Sequence, residues 1–312
     1  TLESLLRLTK IPDEIIVFKK TEGGPIKRTF SMKRRLRQAH FEMAVLFQNA
    51  FEAAFTSWMA GIKLRAGYPT DLRGPFLNIK VPLIPSTLSG HQVFYYLEIV
   101  KYLDDYFRRG RFQYIGKPDC AIRIPSHEVN KARKFLVTEG VDLERRLVCL
   151  CPGSVNSDAK RWPAEYYSKL ADLLVREDDT EIIFLGAPEE RDLVSGIIAD
   201  MKNGHAFNLA AKADIVQSLS IMNLSALVIS NDTGSAHLAV AAGAKCLTIF
   251  GPTIPGATAP FGKQTFIIQG KAACAPCDNH NCHIDGHPCM RSLLPEVVSQ
   301  KAIEILAFPP SF

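Results

Sequence analysis

Two apolar runs, residues 226–229 and 246–250, bracket a polar turn and an Ala-rich stretch. The turn reads Asn231-Asp232-Thr233-Gly234, His237 falls in the first turn of the predicted helix, and the second run ends in Gly251-Pro252-Thr253. This is a strand, a polar turn, a helix and a second strand. Two parallel strands need such a crossover, so the unit commits its part of the chain to a parallel sheet. The polar turn then lies at the carboxyl end of a strand, where α/β sheets bind ligands. The unpaired N–H groups of the following helix start favour an anion, a phosphate first of all.

The alternation extends upstream of this unit. Strands are predicted at residues 147–151, 181–185 and 207–209, with helices at 163–176, 189–201 and 215–223. Strands alternating with helices imply an α/β, doubly wound parallel sheet. The first half is less regular, with strands predicted at 14–19, 43–47 and 64–68 and helices at 31–38, 50–60, 93–107 and 126–140. A chain of 312 residues is long enough for two domains. The pattern restarts at Arg146, so the division expected is residues 1–143 and residues 144–312.

The chain is 47% hydrophobic and 22% charged, as an ordinary globular protein is. It shows no run long enough to span a bilayer and no signal peptide, so a cytoplasmic protein is expected. The net charge of +5 matters less than its clustering. Lys27, Arg28, Lys33, Arg34, Arg35 and Arg37 form one group, and Arg108, Arg109 and Arg111 another. These are either solvated helix faces or a surface that attracts a polyanion. With little aromatic interleaving and no nucleic-acid motif, nucleic acid is not the expected partner.

Four loops of the second half converge at one sheet edge if the sheet is parallel. They are 152–163, 208–212, 231–237 and 251–253. Ser154, Asn156, Lys160, Asp232, Thr233, Gly234, His237 and Thr253 are the candidate ligand contacts there. Lys160 supplies a point charge for a phosphate, and Gly234 lets backbone approach a ligand. Each has a plainer reading. Asp232 is a favoured N-cap, Lys160 and Arg161 suit a solvated helix start, and His237 suits a structural hydrogen bond. The spacing excludes several classes, because G-x-G-x-x-G after a strand, the P-loop and G-x-S-x-G are all absent.

Cys151-Pro152-Gly153 through Lys160-Arg161-Trp162-Pro163, Asn231-Asp232-Thr233-Gly234 with His237-Leu238-Ala239, and Phe250-Gly251-Pro252-Thr253 with Pro255 resemble the bacterial lipopolysaccharide heptosyltransferases. Their order is similar to that of the heptosyltransferase II branch of glycosyltransferase family 9. The first half is more loosely similar, through Leu46-Phe47-Gln48-Asn49-Ala50-Phe51 and the stretch from Ala60-Gly61-Ile62 to Arg65-Ala66-Gly67-Tyr68. The resemblance implies a GT-B fold, two Rossmann-like domains facing a cleft. It implies an inverting transfer of L-glycero-D-manno-heptose from ADP-heptose to heptosyl-Kdo2-lipid A, with no cofactor required and the need for a divalent cation open. The second domain would hold the ADP-sugar, with Asp232, Thr233, Gly234 and His237 along the diphosphate and sugar and Lys160 on the phosphates. The first domain would receive an anionic glycolipid at the inner face of the inner membrane. The family's general base, an Asp in a Gly-Asp turn, is expected to lie before Thr1. Glu52 and Asp71 do not match its motif. Two other readings remain: a nucleotide-sugar-binding protein without transferase activity, and a related transferase acting on protein or another glycan.

Cys274, Cys277, Cys282 and Cys289 are spaced C-x2-C-x4-C-x6-C, with His280, His283 and His287 between them. Zinc and iron–sulfur sites use such ligands, though not in a standard spacing. The other readings are free thiols or disulfides formed on oxidation.

Overall fold

The computed structural model describes residues 2–18, 24–85, 89–110, 118–154, 157–176 and 179–308. Residues 14–117 form one compact unit; residues 1–13 and 118–312 form the other.

The larger unit is built on six parallel strands. They are β4 (Arg146–Cys151), β5 (Thr180–Phe184), β6 (Ala206–Asn208), β7 (Leu227–Asn231), β8 (Cys246–Phe250) and β9 (Thr265–Gln269), after three strands of the smaller unit. Their order across the sheet is β6-β5-β4-β7-β8-β9. The chain leaves β4 to one side and returns to place β7 on the other. That reversal of winding is the topological switch point of a Rossmann sheet, and ligand crevices open at the carboxyl ends of the strands flanking it.

Strand sequence explains why the sheet is covered on both faces. Along β4, Val148 and Leu150 join one apolar cluster, with Phe184, Ile229 and Ile249. Leu147, Cys149 and Cys151 join the other, with Ile183, Val228 and Cys246. The alternation is the two-residue period of a strand, and a strand apolar at every position must be buried on both sides. The helices Ala164–Val175 and Pro295–Ala307 close the first face, and Ser126–Thr138, Ile215–Leu224 and Gly234–Ala241 contribute to the second.

The smaller unit has a parallel sheet of β1 (Met43–Val45), β2 (Leu64–Gly67) and β3 (Ile79–Lys80), in that order, among the described residues. Its apolar cluster joins Ala66, Tyr68, Ile79, Val81, Tyr95, Ile99 and Leu103. Arg73 is fully buried there. Its guanidinium donates to the carbonyl of Tyr68 at 2.8 Å, to the side-chain oxygen of Asn49 at 2.8 Å and to the carbonyl of Gln48, which ties the loop after β1 to the loop after β2. Loss of hydration pushes its pKa down from the usual value.

Two features differ from the sequence reading. Residues 14–18 form no strand, although Ile15, Ile16, Val17 and Phe18 have the residue types for one. A strand exists only through pairing, and here the Val17 carbonyl is taken by the Arg35 guanidinium at 2.9 Å. The compact units also divide elsewhere than residue 143. The helix Ser126–Thr138 buries Ala132 and Leu136 in the same cluster as Leu147 and Val228, and Leu5 and Leu8 of the first helix pack against that cluster too. Apolar packing therefore allots residues 118–143 and the first helix to the larger unit.

Candidate functional site

The last residue of β7 organises the carboxyl edge of the larger sheet. Asn231 is fully buried. Its amide nitrogen donates to the Pro152 carbonyl at 2.8 Å, and its amide oxygen accepts from the Trp162 N–H and the Tyr167 hydroxyl, both at 3.1 Å. A buried amide must satisfy donors and acceptor together, so it fixes the two ends of the 152–162 loop against β7. Trp162 is pinned further by its indole N–H on the Leu293 carbonyl at 3.0 Å. The Tyr167 hydroxyl is held protonated, its pKa pushed well up by burial.

The next residue, Asp232, is 5% exposed and carries the charge of the site. Its Oδ2 accepts from the Lys160 ammonium at 2.7 Å and from the Thr253 hydroxyl at 2.8 Å. Loops after β4, β7 and β8 thus meet on one carboxylate oxygen. The residue that begins the helix Gly234–Ala241 is Thr233, and its side chain makes no capping bond. Asp232 is therefore not the N-cap that its residue type allowed. Gly234 and His237 are exposed, and a Cβ added at Gly234 would meet open space. The helix start faces an open approach, with its N–H groups and positive dipole end toward it.

The Glu190 carboxylate occupies the space beside Gly153. A Cβ there would lie 1.7 Å from Oε1 of Glu190, whose other carboxylate oxygen accepts the Ala187 N–H at 2.8 Å. Ser154 is buried, and its carbonyl accepts both bonds of Arg161, at 2.8 and 3.1 Å. Asn156 lies outside the described residues. A cavity of about 240 Å³ opens beside this loop, lined by Trp162, Leu193, Ile197, His287 and Arg291 among others. It does not include Lys160 or Asp232.

Of the candidates read from sequence, Lys160, Asp232 and Thr253 come together, with Thr233, Gly234 and His237 on the adjoining turn and helix. Thr253 is 2% exposed and its hydroxyl proton is committed to Asp232, so it orients the carboxylate. Asn231 and Glu190 were not among those candidates. The signal for Asn231 was an amide side chain at the end of a strand that opens with a wholly apolar run, Leu227 to Ile229.

Cys274, Cys277, Cys282 and Cys289 are free thiols. Among the described residues no three His, Cys, Asp or Glu side chains converge as a metal site, so the ligand set that the spacing allowed is not assembled. Cys289 is buried, and its thiol is pushed up by loss of hydration and then by the other three cysteines. In the smaller unit Glu52 accepts from Thr29 at 3.0 Å and pairs with Arg28 at 3.3 Å. Arg111, of the second basic group, lies outside the described residues.

The description of glycosyltransferase family 9 (heptosyltransferase) matches residues 29–287. Lipooligosaccharide heptosyltransferase 2 of Haemophilus ducreyi is 27% identical over 245 residues, which are 73% of this chain and 66% of that protein. Lipopolysaccharide heptosyltransferase 2 of Escherichia coli is 23% identical, over 75% of this chain and 66% of the relative. The chain thus spans about two thirds of the length of these curated relatives. Among solved structures, the glycosyl transferase family 9 protein of Veillonella parvula superposes with a TM-score of 0.78 at 19% identity, covering 96% of this chain and 85% of that one. The E. coli ADP-heptose LPS heptosyltransferase II does so with a TM-score of 0.73 at 21% identity, covering 90% and 81%. At such identities the likeness is one of fold, the GT-B class that the sequence resemblance implied.

Proposed function

We propose, from the premise that the chain belongs to glycosyltransferase family 9, the heptosyltransferases, that it transfers L-glycero-D-manno-heptose from ADP-heptose to heptosyl-Kdo2-lipid A, with inversion. The single observation that supports this best is the meeting of Lys160, Asp232 and Thr253 beside an uncapped helix start at the switch point of the larger sheet. In this reading the larger unit binds the ADP-sugar and the smaller unit receives the acceptor.

The diphosphate lies against the N–H groups of Gly234 and Ser235, with Lys160 as its counter-charge. In the transfer an acceptor hydroxyl oxygen bonds to the anomeric carbon and its proton passes to a general base. The bond from that carbon to the phosphate oxygen breaks, and its electron pair leaves with ADP. Negative charge grows on the leaving phosphate, where a fixed ammonium and a helix N-terminus stabilise it most. Asp232 offers Oδ1, which neither Lys160 nor Thr253 uses, to a hydroxyl of the sugar. Its charge also keeps Lys160 placed before the donor arrives.

The acceptor is an anionic glycolipid in this reading. The helix Pro25–Gln38 carries Lys27, Arg28, Lys33, Arg34, Arg35 and Arg37 with no acidic residue, a charge distribution suited to a phosphorylated membrane surface. No helix among the described residues is long and apolar enough to cross a membrane, so the proposed attachment is peripheral, at the inner face of the inner membrane. The test is release of ADP from ADP-heptose in the presence of heptosyl-Kdo2-lipid A, with the product identified by mass spectrometry. Turnover with a different acceptor only would replace the acceptor assignment. Tight ADP-heptose binding without turnover on any acceptor would replace the transferase reading with a binding one.

A further inference from the structure

Lys160 stands on a weak piece of backbone. It ends a single 3-10 turn, Asp158–Lys160, whose own bonds are Lys160 N–H to Ser157 O at 3.4 Å and Arg161 N–H to Asp158 O at 3.1 Å. One such turn has poor hydrogen-bond geometry and does not hold a lysine stem in place by itself. The turn is held from elsewhere. The Ala159 N–H and the Ser157 hydroxyl both donate to the His280 carbonyl, at 3.1 and 2.9 Å. The Ala159 carbonyl lies 2.6 Å from Nε2 of His287. A carbonyl only accepts, so Nε2 carries the proton and donates. Both backbone polar groups of Ala159, itself 1% exposed, are therefore satisfied by the 280–287 segment.

The same segment grips the other side of the triad. The N–H groups of Cys277 and Asp278 both donate to the Pro252 carbonyl at 2.9 Å, next to Thr253, whose hydroxyl orients Asp232. Residues 277–287 thus connect the two loops that bring Lys160 and Thr253 to one carboxylate. At the end of this segment His287 has φ +46° and ψ +60°. A side chain other than glycine rarely occupies that region, and a residue is kept there when the surrounding structure requires it.

We propose that His287 is a positioning residue of the donor site: its imidazole holds Ala159 so that the ammonium of Lys160 is presented to the donor diphosphate. This inference rests on the donor-site reading above. His287 touches no reacting atom and acts through Lys160.

The experiment is calorimetric titration of ADP into the wild type and into His287→Ala, His287→Gln, His287→Asn, Lys160→Ala and the double variant with His287→Ala and Lys160→Ala. His287→Ala weakens ADP about tenfold, the size of one lost intramolecular hydrogen bond. His287→Gln, whose amide reaches the same carbonyl, restores most of that affinity, and the shorter His287→Asn does not. Removing His287 has no further effect once Lys160 is gone. Equal affinities for the Gln and Asn variants overturn the proposal, and this comparison decides the matter even should His287→Ala fail to fold. A His287→Ala loss that persists undiminished without Lys160 overturns it as well. Wild-type affinity in His287→Ala alongside weak binding in Lys160→Ala overturns the positioning role and leaves the donor site standing. Unchanged ADP affinity in Lys160→Ala removes the donor-site reading and this inference together.

Discussion

Lys160 and Asp232, 72 positions apart in sequence, stand 2.7 Å from each other with the carboxylate almost wholly buried and the ammonium partly open to solvent. An anion arriving at Lys160 therefore meets a cation that is already placed and already paired. In the proposed reaction the donor's diphosphate shares this counter-charge with Asp232 and does not create it.

Replacing Lys160 with Ala removes the charged hydrogen-bond donor and should weaken ADP by about 10- to 100-fold, since bonds to charged groups contribute roughly 1.5–3 kcal/mol. Asp232→Ala should weaken ADP-heptose binding more than Lys160→Ala does, because it frees Lys160 and the Thr253 hydroxyl from their common anchor and removes the carboxylate oxygen proposed to hold the sugar. Titration calorimetry reads both. Wild-type affinity in either variant would count against placing the donor at this edge.

Asn231→Ala leaves the Trp162 N–H and the Pro152 carbonyl without their partner in the interior, while the Tyr167 hydroxyl keeps the Cys151 carbonyl at 3.3 Å. Each unsatisfied buried group costs about 1–3 kcal/mol, so a total loss of about 2 kcal/mol or more is expected. Urea unfolding should show a lower midpoint at unchanged slope.

Two glycines of the site should respond in opposite ways. Gly153→Ala displaces the Glu190 carboxylate from its bond to the Ala187 N–H and should destabilise the fold by about 0.5–1.5 kcal/mol. Gly234→Ala meets open space and should melt within a few degrees of the wild type. Any defect of Gly234→Ala should fall on ADP binding alone, which comparing thermal melts with titrations will separate.

The thiols should divide into two classes. Cys149, Cys151 and Cys246 are buried, and loss of hydration pushes the Cys246 pKa up to about 12. At pH 8 its reactive thiolate is then only about one part in ten thousand. Cys120, Cys277 and Cys282 are exposed. Native alkylation followed by peptide mass spectrometry should label these three first, and Cys246 only after unfolding. Early labelling of Cys246 would contradict the packing of β8.

Much of the larger unit was legible because its strands are short and mostly apolar and its turns are polar, which is the pattern of a parallel sheet. The run through Asn231 to Phe250 located β7, the helix and β8 within a residue or two. Lys160, Asp232 and Thr253 were legible as candidates because each follows such a strand. Their mutual geometry was not, since it depends on how three crossovers dock. Asp232 read as an N-cap or a ligand contact, and only packing shows its pairing with Lys160. His287 was hidden for the same reason, being 128 positions from the carbonyl it holds. Residues 14–18 read as a strand by composition, but composition does not supply a neighbouring strand. The division near residue 143 followed the restart of the alternation, whereas the compact units follow where Ala132 and Leu136 are buried.

The bonds of Asn231 also impose an order on synthesis. A ribosome makes Trp162 before Asn231, with 69 positions between donor and acceptor, and Pro152 earlier still, at 79. Until β7 emerges and docks beside β4, the 152–162 loop has nothing to close on and stays hydrated. A nascent chain halted before residue 231 therefore carries β4, β5 and β6 but not the amide that ties the loop to the sheet. When Asn231 is in place, a single amide holds both ends of the loop.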